Sequence, residues 1–93
     1  MIRSFNCEQT ELIWNGQITR ILLYGIQAVA RRKLRMINNS AVLNDLRIPP
    51  ANRLEKLKGS RVGQYSLRIN DQWRICFVWE NGDVLNVEII DYH

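Results

Sequence analysis

Apolar positions along the chain follow two different periods, and the change between them divides it. In the first half the spacing is three and four: Leu22, Ile26, Ala30, Leu34 and Ile37 share one face of a helix predicted from about Leu22 to Asn38. Before it, "CEQTELIWNG" predicts a short helix with Leu12 and Ile13 on its apolar side. Asn15-Gly16 stops that helix, because Gly accepts the left-handed C-cap conformation. The opening "MIRSF" alternates apolar and polar residues and predicts a short strand. After the long helix, Ser40 is placed to cap another short helix through "AVLNDL", which Pro49-Pro50 ends.

The stretch "PPANRLEKLKGSRVG" has neither period and is expected to be a loop of about a dozen residues, a length that in small domains is often functional. From Gln64 the period is two. "GQYSLRI" sets Tyr65, Leu67 and Ile69 against Gln64, Ser66 and Arg68, and "WRICFVW" sets Trp73, Ile75, Phe77 and Trp79 against Arg74, Cys76 and Val78. Glu80-Asn81-Gly82-Asp83 is a hairpin signal, since Asn-Gly suits the positive φ angles of a type I′ turn, and the last strand runs from Val84 to about Ile90. The order predicts one α+β domain over residues 1–93. An N-terminal strand and helices pack on one face of a small antiparallel sheet ending in a three-strand meander.

With 93 residues, 46% of them hydrophobic, the chain can build one core and no second domain. Two cysteines are too few for a disulfide framework and too isolated for a zinc site, so both are expected to be free thiols and no metal is expected. The start lacks an apolar signal region, and "ILLYGI" is far short of the ~20 residues of a membrane span. A cytoplasmic protein with no membrane partner is expected. The net charge of +4 is unevenly spread. Arg47, Arg53, Lys56, Lys58, Arg61, Arg68 and Arg74 meet only Glu55 and Asp71 in that stretch, whereas the chain from Glu80 onward has no Lys or Arg. A polyanionic partner suits this pattern.

Three features carry candidate chemistry. Arg74 lies in the most apolar strand and must either snorkel from an exposed sheet face or hold an anion, which a guanidinium can do bidentately. Arg68 and Ser66 would share that face. The basic loop is either a solvated linker or a phosphate-binding edge, with Arg53, Lys56, Lys58 and Arg61 as its cations and Lys58 projected by the flexible Gly59. "RRKLR" on the long helix reads foremost as a solvated helix face. The chain's only histidine, His93, is its last residue, behind Asp91 and Tyr92. A terminal triplet is commonly a loose tail, yet carboxylate, phenol and imidazole together supply an acceptor, a donor that can stack on a base, and a group titrating near neutrality. If the last strand reaches the edge of the open face, the triplet meets Arg74 and Lys58. Such a set has the parts of a metal-free ribonuclease. A glycine-rich phosphate loop, a G-x-S-x-G elbow and a histidine pair are all missing from the sequence.

Taken together, "MIRSF", "RLEKLKG", "YSLRINDQWRICF" and "VEIIDYH" resemble, over essentially the whole chain, the HigB branch of the RelE/ParE toxin superfamily. The resemblance implies a toxin of a type II toxin-antitoxin pair that enters the ribosomal A site and cuts translated messenger RNA without metal or other cofactor, inhibiting growth. It implies that Arg74 contacts the scissile phosphate, that Lys58 is the loop lysine, that His93 and Asp91 are acid-base candidates, and that Tyr92 stacks on or orients the RNA. Some relatives carry a loop histidine where this chain has Glu55. A glutamate can act as a base but cannot be a cation, which shifts more of the work to His93. The implied partners are a helix-turn-helix, HigA-like antitoxin, the ribosome and messenger RNA, with DNA reached only through the antitoxin. Two other readings are a ParE-like inhibitor of a protein target such as DNA gyrase, for which the triplet is dispensable, and an RNA-binding module without turnover.

Overall fold

The computed structural model describes residues 1–19 and 24–91. Two helices, α1 (Glu8–Trp14) and α2 (Tyr24–Asn39), precede four strands, β1 (Glu55–Lys56), β2 (Gln64–Arg68), β3 (Trp73–Glu80) and β4 (Asp83–Asp91). The sheet is antiparallel throughout, in the order β1-β2-β3-β4. The predicted α+β architecture and its meander are therefore present. Asn81 (φ 52) and Gly82 (φ 87) make the tight β3–β4 turn with the expected positive φ at both central positions. The core is the helical stripe Ile26, Ala30, Leu34 and Ile37 packed with Leu67, Ile69, Ile75, Phe77, Val84, Val87 and Ile89 from the sheet. Leu22 of the predicted stripe lies outside the described residues. Tyr65 and Phe77, cross-strand neighbours, stack with ring centroids 6.3 Å apart.

Local physics changes several expected boundaries. "MIRSF" does not form a full strand: Ile2 and Phe5 make isolated parallel bridges to Val84 and Val87. A fully buried Thr10 on α1 then accepts the backbone N–H of Ile89 at 3.0 Å, so the helix seals that edge of β4. Ser40 does not cap the next helix, because its hydroxyl donates back to the carbonyl of Ile37 at 2.7 Å. Asp45 supplies the cap instead, its carboxylate accepting the N–H groups of Ala41 and Val42 at the start of a 3-10 turn, Leu43–Arg47. The long basic loop is also more ordered than its lack of period suggests. It contains two further 3-10 turns, Pro50–Asn52 and Gly59–Arg61, and between them β1 adds itself to the sheet. No helix among the described residues is long and apolar enough to cross a membrane.

Candidate functional site

The sheet face turned away from the helices was expected to be open. It is covered by the loop that precedes β2. Asn52 anchors that loop: fully buried, its amide donates to the carbonyls of Leu46 (3.2 Å) and Ile48 (3.4 Å), and its side-chain oxygen accepts from the Lys33 ammonium of α2. Burial, with Arg32 and Arg68 nearby, holds the Lys33 pKa below its usual range. The next residue, Arg53, takes a left-handed conformation (φ 45) that turns the chain into β1. Further on, Leu57 is buried, and Arg61 reaches back to bond Glu88 of β4 at 2.7 Å and Gln64 of β2 at 3.1 Å.

Beneath this loop lies Arg74. Strand alternation puts it on the same face as its register partners Arg68 on β2 and Ile90 on β4. Two arginines directly opposite repel. The structure separates their commitments: Arg68 pairs with Asp71 at 2.5 Å, while Arg74, only 7% exposed, turns inward. Its Nε donates to Ser66 Oγ at 2.8 Å, and its Nη2 donates to the Arg53 carbonyl at 2.5 Å and more weakly to the Ser66 carbonyl at 3.4 Å. Its Nη1 lies 3.8 Å from the half-exposed carboxylate of Glu55. A snorkelling arginine would lie exposed, and this one does not. Fixed guanidinium geometry beside a carboxylate and a basic loop can hold a phosphate oxyanion and place a base near it.

Of the other candidate residues, Arg53, Lys56 and Lys58 are exposed along the loop, with Lys58 directly before Gly59 (φ 67). Arg61 is drawn into its ion pair with Glu88. Asp91 lies opposite Trp73 in the register, one residue past the Ile90 that faces Arg74. Alternation therefore directs it to the other face of the sheet from Arg74, and its carboxylate accepts from Gln72 Nε2 at 3.1 Å. Tyr92 and His93 lie outside the described residues. Among the described residues no cluster of His, Cys, Asp and Glu fits a metal ion. Cys76 is fully buried on the Arg74 face, and burial pushes its thiol pKa up, with Glu88 adding to the rise and Arg61 and Arg74 opposing it. Asn52 was missed by sequence reasoning, since an Asn after two prolines signals only a turn.

The chain is similar to known proteins in sequence and in fold. Residues 6–93 match the family described as the RelE-like toxin of type II toxin-antitoxin system HigB. Toxin HigB-1 of Vibrio cholerae is 40% identical over 67 residues, covering 72% of this chain and 70% of that protein. Endoribonuclease HigB of Proteus vulgaris is 29% identical over 94 residues, covering both chains fully. Among solved structures, the YoeB-YefM toxin-antitoxin complex of Staphylococcus aureus contains a chain that superposes with a TM-score of 0.62 at 18% identity, over 100% of this chain and 98% of that one, which shows a shared fold. A family match over residues 6–93, with a relative 40% identical over 67 residues, assigns the protein to the HigB-like toxins of type II toxin-antitoxin systems.

Proposed function

We propose that this toxin is a metal-independent endoribonuclease that cuts messenger RNA in the ribosomal A site and so arrests translation in the cytoplasm. The observation that carries the reading is the end-to-end alignment with a protein named Endoribonuclease HigB, on a chain whose basic loop lies against the face holding a buried, oriented arginine. In this reading a base takes the ribose 2′-hydroxyl proton, and the oxygen attacks the adjacent phosphorus. The 5′-oxygen leaves with a proton from an acid, and a 2′,3′-cyclic phosphate remains. Arg74 stabilises the charge on the pentacoordinate phosphorus. Lys58, with Lys56, Arg53 and Arg68, holds the RNA backbone, and Arg61 braces the loop through Glu88. His93 is the principal proton-transfer group, Asp91 its neighbour at the strand end, Tyr92 the stacking residue, and Glu55 the second carboxylate within reach of the phosphate site.

The natural partner in this reading is a helix-turn-helix antitoxin, which alone would contact DNA. Its support is the family's two-component character and the antitoxin in the neighbouring YoeB-YefM structure. The test is purified toxin with one messenger RNA, either naked or on ribosomes with a defined codon in the A site. Cuts confined to the ribosome-bound message support the proposal. Equal cutting of both, or of neither, sinks it.

A further inference from the structure

The exposed cations of the basic loop, Arg53, Lys56 and Lys58, can present one arrangement to a chain of phosphates only if the backbone that carries them is held. Arg61 fixes the far half of the loop through Glu88 and Gln64. The near half is fixed by Asn52, one residue before the left-handed turn at Arg53. Its side chain is fully buried. The amide donates to the carbonyls of Leu46 and Ile48, and the oxygen accepts from the Lys33 ammonium in the middle of α2. The first two bonds are local, six and four residues back in the chain, whereas the third ties the loop to a helix 19 residues away. Burial and the neighbouring Arg32 and Arg68 all disfavour the charge of Lys33, and among the described residues the side chain that meets it is the Asn52 amide rather than a carboxylate. We propose that Lys33 and Asn52 form a latch between α2 and the basic loop, and that both are positioning residues for RNA. They touch no phosphate themselves and act by holding Arg53, Lys56 and Lys58 in the arrangement that binds the RNA backbone. An unlatched loop must be ordered when RNA binds, which lowers affinity. That loss falls equally on bound substrate and transition state, so its signature is a higher half-saturation at a nearly unchanged saturating rate. The consequence for RNA rests on the endoribonuclease reading; the latch itself does not.

The experiment uses the full chain in two arms. The first follows amide exchange in Lys33→Met, which keeps an apolar stem but cannot donate to Asn52, and in Lys33→Arg, which can. The amides of Asn52 and Arg53 bond the carbonyls of Pro49 and Pro50 at 2.9 and 3.1 Å. In Lys33→Met they are expected to exchange at least about tenfold faster, with the amides of β3 within about twofold of their unmutated rates, and in Lys33→Arg to regain their protection. Loop exchange left unchanged by Lys33→Met overturns the latch. A change shared equally by β3, or a Lys33→Met chain that does not fold, makes Lys33 a residue of the general core and overturns it as well. In the second arm, single-turnover cleavage on programmed ribosomes is measured against toxin concentration at several salt concentrations. Lys33→Met should raise half-saturation about 5- to 20-fold, hold the saturating rate within about threefold and leave the salt slope of binding unchanged, and Lys33→Arg should restore half-saturation. A salt slope reduced by roughly one places Lys33 on a phosphate itself and overturns the positioning role. Half-saturation within about twofold of the unmutated value, or a loss confined to the saturating rate, overturns it too. If the unmutated toxin cuts nothing, the endoribonuclease reading fails, and with it the consequence for RNA, while the exchange rates alone decide the latch.

Discussion

Cys76 records how closed the face around Arg74 is. A thiol held neutral by burial keeps its proton to higher pH in the folded chain than in the unfolded one. As pH rises through the ordinary thiol pKa, about 8.5, the unfolded state loses that proton first, and folding stability must fall. Lys33, whose pKa is lowered, acts in the opposite sense at higher pH, so the Cys76 contribution is isolated by difference. Urea unfolding at pH 7 and pH 9.5 should show a decline in stability that is shallower in Cys76→Ala. Equal slopes would show that burial does not control this thiol. Arg53 makes a second residue-scale case. Its φ of 45 is one that glycine adopts freely, so Arg53→Gly should leave stability within about 1 kcal/mol. If its side chain binds RNA phosphate, the same substitution should reduce the salt slope of RNA binding by roughly one.

At the scale of elements, the helix and the meander were legible because one buried face imposes a single period on each. Ile26, Ala30, Leu34 and Ile37 are at most 6% exposed, and Ile75 and Phe77 fully buried, where the spacing put them. Leu34→Ala should therefore destabilise the domain by about 2–5 kcal/mol in denaturant unfolding, through lost burial and the cavity left behind. The basic loop was not legible, because nothing periodic holds it. It is fixed by single side chains: Asn52 bonds the nearby Leu46 and Ile48 carbonyls and reaches Lys33, 19 residues away, and Arg61 reaches Glu88, 27 residues away. Only tertiary structure reveals such bonds. The same limit applies at the candidate site. Sequence alternation identified the face of Arg74 and its neighbour Ser66, but the loop on either side of β1, which itself only extends the sheet beside β2, turned an expected open surface into a covered one. Arg61→Ala should loosen this cover, seen as faster amide exchange at Leu57 with the core strands unchanged.

At the scale of the molecule, the fold divides labour between the two faces of one small sheet. The helices bury one face as the core, while the basic loop covers the other, bonded to Arg74 through the Arg53 carbonyl, and keeps Arg53, Lys56 and Lys58 exposed. Under the proposed function, that division lets RNA cutting be lost without losing the fold. His93→Ala, at the chain end, should reduce cleavage by about 10²-fold or more if it is the proton-transfer group, with the unfolding midpoint essentially unchanged. Ribosome-dependent cleavage is decided in growing cells, by inducing the toxin and mapping messenger-RNA 5′ ends with and without translation of the message. It predicts new ends within codons of translated messages, lost when the start codon is removed and lost with Tyr92 and His93 deleted. New ends that persist on the untranslated message, or growth arrest with no new ends at all, would contradict it.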